Sequence, residues 1–437
     1  MKTRYDIDRL PPEEMYSVQS ELLLGTVARV YENSAFYRKL YDDHGVVPSD
    51  IRGLDDLSTL PFTTRQDIEK DNWGFLSIDR KDSAELVSTT GTTGNPVYVA
   101  MTSHDLERLA YNEEKSFTYA GAEKGDLFFI DVTCDNLFIA GIAYYSGLIR
   151  LGASVVRVGP QNMARQFDLI KKLKPRGVVA VPSFMAQMAR RALEHGVDTK
   201  KLGLQKIVLI GDSVRNDDFS LNPLGGLISE AFGNIFCSTY GITEGQVSFC
   251  ECLQRQGLHS HPDLVFAEIV DDDGKSLNDG ESGELVLTTL QIEGMPLVRY
   301  KTGDITYKLS APCGCGRNSV RIGPVLGRKH QRLKYKGVTL YPKTIENAIL
   351  DVDDVVNYQI EASTGEDHTD HVLIRVGSER NDSMFRSELT DKLRSKARVS
   401  PEIKLMNPEE ITARQFEGGS RKAVTFLDLR NSGRKAE

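Results

Sequence analysis

Between residues 126 and 212, short runs rich in β-branched residues alternate with amphipathic stretches. The runs are "DLFFIDVT", "ASVVRVG", "RGVVAVPS" and "KIVLIGD", and segments such as "ARQFDLIKKLK" and "FMAQMARRALEHG" lie between them. Strands separated by helices can return to the same sheet only in parallel, and a parallel sheet needs cover on both faces. The pattern therefore predicts an α/β fold whose large N-terminal domain is built on mostly parallel sheet with helices. At 437 residues the chain exceeds what one hydrophobic core supports, so more than one domain is expected.

The flanks differ from this rhythm. "MYSVQSELLLGTVARVYENSAFYRKLYDDHG" has apolar residues at helical spacing and ends on Gly45. From about residue 263, "LVFAEIVDDDGKSL" and "GELVLTTL" are closely spaced strands with Asp-Gly and Asn-Asp-Gly turns, which predicts a small antiparallel or barrel-like β unit. Beyond Gly327 a second α/β domain begins, with "QRLKYKGVTLYPKTIENAIL", "DHVLIRVG" and a helix from about Ser383 to Ala397. The expected domains are 1–327 and 328–437.

Lys plus Arg total 54 against 62 Asp plus Glu, a balance unsuited to a general nucleic-acid binder. The start, "MKTRYDIDRLPPEE", has no apolar signal core, and the longest apolar segment, "NLFIAGIAYYSGLI", is too short to span a bilayer. No membrane association is expected, and the protein is expected to be cytoplasmic. In that compartment clustered cysteines favour metal over disulfide.

The stretch "LVSTTGTTGNPVYVAMT", residues 86–102, strings hydroxyls and glycines between two apolar arms. Leu86 and Val87 lead in, and Val97, Val99 and Met101 alternate on the way out, so the middle is a loop between strands. Exposed N–H groups and hydroxyls at this density suit an anion, most often phosphate. It is not a Walker loop: Thr89 stands where the first Gly belongs and Asn95 where the Lys belongs. Four further stretches accompany it: "STYGITEG" at 238–245, "RYKTGD" at 299–304, "GRKHQRLKYKG" at 327–337 and "GGSRKAVTF" at 418–426. Singly, these read as a turn, a solvated charge, a linker and a tail lysine.

In this order and at these intervals they resemble the adenylate-forming acyl-activating enzymes, along the whole chain. The branch they resemble most is the phenylacetate-coenzyme A ligase family, on "NSAFYRKLYDDHGVVPSDIRGLDDLSTLPFTTRQDI" at 33–68, the opening loop, and "ECLQRQGLHSHPD" at 251–263. The resemblance implies that a carboxylate attacks the α-phosphate of ATP, expelling pyrophosphate, and that a nucleophile then displaces AMP from the acyl adenylate. An anion approaching an anion needs donors and cations where negative charge accumulates.

By the same resemblance, Ser88, Thr89, Thr90, Gly91, Thr92, Thr93 and Gly94 hold the departing phosphates. Glu244 binds Mg2+, a hard cation suited to oxygen ligands, and Thr243 meets the phosphate. Tyr240 lies against the adenine, Asp304 accepts both ribose hydroxyls, and Arg328 supports the nucleotide from the other side. Lys422 is the catalytic lysine, its point charge offsetting the charge that develops at the α-phosphate. "GRKHQ" becomes the hinge of a small mobile C-terminal lid domain, with His330 where the family has an acid. The implied partners are a small-molecule aryl carboxylic acid and coenzyme A. A carrier protein or an amine as acceptor, and a catalytically inactive binding protein of the same fold, are the alternatives. A homodimer has family precedent without a residue pattern that demands it.

Three departures matter. Asn95 replaces a common lysine after the loop, and Arg421 precedes Lys422 where the family tends to have Gly. An aromatic and a glycine become Asp135 and Asn136 in "CDNLFIAG". With Phe138 and Gly241, those two would line an acyl pocket suited to an acid with polar ring groups; equally, Asp135 and Asn136 are good helix N-cap residues.

The six cysteines are Cys134, Cys237, Cys250, Cys252, Cys313 and Cys315, the last four forming two C-x-C pairs, with His259 and His261 near the first. Four Cys or His ligands are what a structural zinc site takes. The resemblance maps Zn2+ ligands onto Cys252, His259, Cys313 and Cys315, with Cys250 and His261 as substitutes. Four protein ligands leave no open position, so the metal would be structural.

Overall fold

The computed structural model describes residues 6–89, 96–160, 163–335, 338–364, 370–417 and 423–430. The chain divides into two compact units, Met1–Thr302 with Thr306–Pro324, and Gly303–Ile305 with Val325–Glu437.

In the first unit the alternating segment forms the expected parallel strands, in spatial order Ser154–Arg157, Leu127–Ile130, Gly177–Ala180, Lys206–Leu209 and Phe236–Ile242. All four residues of Gly177–Ala180 are buried, as a strand covered on both faces requires. Gly177 is needed there, because a Cβ would stand 2.1 Å from the Phe128 ring. The helices Met163–Leu173 and Pro182–Glu194 bring Phe167, Ile170, Met185 and Met188 against Phe129, Val178 and Leu209.

Strand Phe236–Ile242 changes the sense of the sheet, since its other neighbour, Val247–Glu251, is antiparallel. Leu258–His259, Arg321–Ile322, Tyr300–Leu309, Ser282–Thr289 and Val265–Val270 continue the same hydrogen-bonded path, and the short strands Thr63–Thr64 and Gly327–Arg328 pair with Tyr300–Leu309 off it, making 13 strands among the described residues. The closely spaced strands expected after residue 263 thus join the parallel sheet at its edge.

The N-terminal helical stretch is two helices, Pro12–Asn33 and Ala35–His44. They break at Ser34, whose hydroxyl accepts from Tyr37 N–H, and the second ends on Gly45 at φ +67°. The arms of the hydroxyl-rich loop pair as an antiparallel hairpin, Glu85–Ser88 with Tyr98–Met101, in the register Ser88 to Tyr98. Helix Ser103–Tyr119 runs through the core and buries Asp105, Arg108, Asn112, Glu113, Lys115 and Ser116. Among the described residues no helix is long and apolar enough to cross a membrane.

The second unit holds a sheet in the order Glu402–Met406, Asp370–Gly377, Asn357–Thr364, Phe426–Asp428. Helices Pro342–Ile349, Ser383–Ala397 and Pro408–Gln415 accompany it. Its own core includes Ile345, Ile349, Ile360, Ile374, Phe385, Leu389 and Leu393. The helix expected at Ser383–Ala397 has those bounds, capped by the Asp382 carboxylate on Phe385 N–H at 2.8 Å.

Candidate active site

Thr243 and Glu244 occupy the turn between strands Phe236–Ile242 and Val247–Glu251, which pair up to Ile242 and Val247. A two-stranded frame fixes both ends of this turn. A third support comes from Arg108, which is fully buried and donates to the carbonyls of Gln246 and Leu290, each at 2.8 Å, and of Leu264 at 2.5 Å. Burial pushes its pKa down to about 10, still far above physiological pH, so the guanidinium stays charged and satisfied by carbonyls. The Glu244 carboxylate is buried and meets two donors, Arg65 Nη1 at 3.0 Å and the Tyr300 hydroxyl at 3.4 Å.

Arg65 links this turn to the hydroxyl-rich loop, since its Nη2 donates to Thr89 Oγ1 at 3.1 Å. Thr89 closes the base of the loop: its N–H donates to Val97 C=O at 3.0 Å, and its hydroxyl accepts from Val97 N–H at 3.2 Å. Ser88 N–H donates to Leu137 C=O at 2.9 Å, which ties the loop to the segment that holds Asp135 and Asn136. Ser88, Thr89, Glu244, Arg65 and Tyr300 are therefore joined through a short set of contacts. Thr90, Gly91, Thr92, Thr93, Gly94 and Lys422 lie outside the described residues.

Tyr240 precedes the turn on the same strand and packs edge-on to Phe249, ring centroids 5.9 Å apart. Gly241 beside it is exposed, and a Cβ there would meet Val247 O at 3.1 Å. Asp135 and Asn136 are exposed, and Asn136 Nδ2 donates to Asp135 Oδ1 at 3.1 Å. Neither begins a helix: the following helix is Ile139–Leu151, and its N-cap position is Phe138. The reason is backbone conformation, since Asn136 and Leu137 both adopt left-handed φ, 56° and 59°, and turn the chain before the helix starts.

In the second unit Asp304 and Arg328 face each other across an antiparallel strand pair. Arg328 Nε stands 3.2 Å from Asp304 Oδ1, with the carboxylate side chain 5% and the guanidinium side chain 52% exposed. His330 is exposed.

The Cys and His residues assemble separately, in the first unit. The ligand atoms of Cys252, His259, Cys313 and Cys315 all lie within 4.8 Å of one another, an arrangement that could hold a metal ion. Cys252 Sγ is 3.7 Å from Cys313 Sγ, and Cys315 Sγ is 3.5 Å from His259 Nε2. Cys313 and Cys315 sit on a tight turn closed by Gly316 N–H on Cys313 C=O at 2.9 Å. The other His259 nitrogen, Nδ1, is 2.8 Å from Ser319 Oγ, which orients the ring. Burial pushes His259 down to about 3, so the imidazole is neutral at physiological pH. Cys250 and His261 are not part of the group: Cys250 lies in the apolar core, and His261 is 2.9 Å from Ser116 Oγ and 3.3 Å from the Tyr119 hydroxyl.

Arg65 and Arg108 are the residues sequence reasoning missed. Arg65 does stand inside the quoted motif "PFTTRQDI", but its partners are 24 and 179 residues away. Arg108 carries no sequence signal of its own on a helix dense in charged residues.

Two family models match this chain: an AMP-binding enzyme model over residues 28–293 and an AMP-binding enzyme C-terminal domain model over residues 337–430. The chain is 33% identical to a phenylacetate-coenzyme A ligase of Thermus thermophilus, an alignment covering 97% of this chain and 99% of the relative. It is 29% identical to the phenylacetate-coenzyme A ligase of Escherichia coli, over 97% of each. Among solved structures, a 2-hydroxyisobutyryl-CoA ligase in complex with 2-HIB-AMP superposes with a TM-score of 0.86, at 20% identity, over 98% of this chain and 92% of that one. That last likeness concerns the fold. Two sequence-family matches and a near full-length relationship place the protein: it belongs to the AMP-binding enzyme family of adenylate-forming proteins, in the phenylacetate-coenzyme A ligase branch.

Proposed function

We infer that the protein is an ATP-dependent, AMP-forming ligase that activates an aryl carboxylic acid as its acyl adenylate, releases pyrophosphate, and transfers the acyl group to coenzyme A. The observation that carries this reading is the link from Glu244 through Arg65 to Thr89. It sets a buried carboxylate and a guanidinium at the mouth of a hydroxyl-rich loop, where a phosphate chain and its counter-cation would be held together.

The roles of individual side chains follow from the family. The hydroxyls and N–H groups of Ser88 to Gly94 hold the departing phosphates. Glu244 would hold Mg2+, and that ion when bound supplies positive charge to the phosphate oxygens. Thr243 donates to phosphate, Tyr240 covers the adenine, and Asp304, with two acceptor oxygens, takes the ribose hydroxyls beside Arg328. Lys422 brings a point charge to the carboxylate and α-phosphate during adenylation. Asp135, Asn136, Phe138 and Gly241 shape the acid pocket, and the exposed polar pair favours an acid with polar ring substituents.

The Cys and His group fits Zn2+ in its dimensions. Tetrahedral zinc with Zn–S near ~2.3 Å and Zn–N near ~2.05 Å requires S···S edges of about 3.8 Å and S···N edges of about 3.5 Å. Two of the six edges, at 3.7 and 3.5 Å, match these values, and all ligand atoms lie within 4.8 Å of one another. The Ser319 hydroxyl against His259 Nδ1 is the kind of outer partner that fixes a ligating ring. Four protein ligands make this a structural staple, outside the chemical step. We place the protein in the reducing cytoplasm, where these thiols persist.

The test is pyrophosphate release from ATP and Mg2+ across a panel of aryl and alkyl carboxylic acids, with and without coenzyme A. Release that depends on an aryl acid, with AMP and an acyl-coenzyme A as end products, is expected. Release of ADP and phosphate would point to a phosphotransferase, and release stimulated by an amine or a carrier protein in place of coenzyme A would change the acceptor.

A further inference from the structure

The loop that is to hold pyrophosphate has lost the lysine that commonly follows it, for position 95 is Asn. A triphosphate bound by hydroxyls and N–H groups alone lacks a fixed countercharge, and charge-assisted contacts are the stronger ones. We propose that Arg65 is the phosphate-binding cation of this site, supplied from the N-terminal segment in place of the missing loop lysine. The proposal rests on reading the site as an ATP site.

Three N–H directions of the Arg65 guanidinium are fixed by neighbours. Nε donates to Glu69 Oε1 at 2.7 Å, one turn along its own helix; Nη1 donates to Glu244 at 3.0 Å and Nη2 to Thr89 at 3.1 Å. The planar fork thus spans the carboxylate assigned to the metal and the threonine at the root of the phosphate loop. Its backbone is equally fixed. Arg65 opens helix Arg65–Lys70, capped by a reciprocal pair in which Thr64 Oγ1 accepts from Asp67 N–H and the Asp67 carboxylate accepts from Thr64 N–H. The preceding Thr63 pairs with Tyr300 in the sheet and donates from its hydroxyl to Val298 C=O at 3.0 Å.

The same segment grips the other root of the loop. Asn72 accepts from Tyr98 N–H and donates to Tyr98 C=O, both at 2.8 Å, and Trp73 stacks on Tyr98 with ring centroids 6.2 Å apart. Residues 63 to 73 therefore hold the loop at both ends and place one guanidinium at its entrance. That guanidinium is shared between Glu69 and Glu244, and Glu244 is a buried carboxylate that would be costly if left alone. Were Glu244 to hold a metal ion, the Arg65 guanidinium would remain beside Thr89, placed for phosphate oxygens bound there.

A purely structural ion pair would show the same distances, so the test must separate the two. Arg65→Met keeps length and removes charge; Arg65→Lys keeps charge and removes the fork; Arg65→Met combined with Asn95→Lys returns a cation at the loop itself. Trp73 is the only tryptophan in the chain and stacks on the residue that follows the loop, so its fluorescence reads MgATP binding without turnover. Arg65→Met is expected to weaken MgATP binding, and to raise the KM for ATP, by about ten- to a hundredfold, the range lost with a charged hydrogen bond. The KM for the acid should stay near wild type, while the melting temperature should fall because Glu244 loses its buried partner, so affinities are compared well below it; Arg65→Lys should lie between, and Asn95→Lys should restore most of the lost MgATP affinity. Unchanged MgATP affinity in Arg65→Met, or a loss that Asn95→Lys leaves untouched, would overturn the proposal. Failure of wild-type protein to release pyrophosphate with any acid strikes the ligase reading instead, and the fluorescence titration still judges Arg65.

Discussion

Two clusters in the first unit were both assembled from distant stretches of sequence, yet they are built on opposite plans. The Glu244 group joins a turn, a helix start and a loop root, and its members contact one another through the Arg65 guanidinium and the Tyr300 hydroxyl. The Cys252, His259, Cys313 and Cys315 group closes on itself, three of its four residues buried and its histidine pinned from behind by Ser319. On the proposed reading the first must admit a highly charged substrate, which calls for replaceable internal contacts. A site that only has to hold chain segments together offers no position to exchange. Mutations in the first should therefore be read in kinetics, and mutations in the second in stability.

The sharpest break in that comparison is Lys422→Ala. It should lower adenylate formation by about a thousandfold while the melting temperature stays unchanged, the loss expected when a group aimed at developing charge is removed. Near-normal AMP release would end its assignment. Glu244→Gln follows. Its neutral amide should raise the Mg2+ concentration needed for half-maximal rate by about tenfold or more, measured as a Mg2+ titration at saturating ATP. If the variant keeps the wild-type Mg2+ dependence, the carboxylate has another task.

For the second cluster the expected pattern reverses. Cys315→Ser, or removal of metal by a strong chelator, should lower the melting temperature by roughly 5 °C while leaving most of the activity at low temperature. Metal analysis of freshly purified protein should find about one zinc per chain, consistent with four protein ligands. Protein purified without chelator that contains no zinc would remove this half of the comparison.

The smallest effect concerns a carboxylate in neither cluster. Asp131 is fully buried at the end of strand Leu127–Ile130, bonded through Oδ1 to Gln166, and burial raises its pKa to about 7 from 3.8. The folded protein keeps this proton over that window and the unfolded chain releases it. Its contribution to stability is therefore full below pH 3.8 and is lost as pH rises through about 7. Asp131→Asn cannot titrate, so its stability should gain on that of the wild type between those limits, in denaturant melts at several pH values. A constant difference between the two proteins across the range would contradict the buried-acid account.

Much of the fold was legible because it rests on periodicity. The runs around Phe128, Val156, Val179 and Val208 each became one parallel strand, and the arms around Val87 and Val99 became the hairpin that carries the hydroxyl-rich loop. Ser34 was less visible, since the hydrophobic spacing continues across it and only its hydroxyl cap on Tyr37 marks the break. Helix Ser103–Tyr119 inverts what its charges imply. A segment with Asp105, Arg108, Glu113 and Lys115 reads as a solvated face, whereas those groups are buried, and Arg108 is satisfied by three carbonyls more than 100 residues away in sequence. The Cys and His set was legible in its spacing, and the family resemblance already named Cys252, His259, Cys313 and Cys315; the folded chain groups those four and leaves the substitutes Cys250 and His261 outside. Arg65 stayed hidden, because a single arginine acquires meaning only from what the sheet brings beside it.

The central claim is a separate, reversible activation of the acid before coenzyme A takes part. Exchange of labelled pyrophosphate into ATP, with Mg2+ and an aryl acid but without coenzyme A, tests it most directly. Exchange that requires the acid and proceeds without coenzyme A is the predicted result. No exchange with an acid that the protein demonstrably converts in the presence of coenzyme A, or conversion accompanied by ADP, would contradict it.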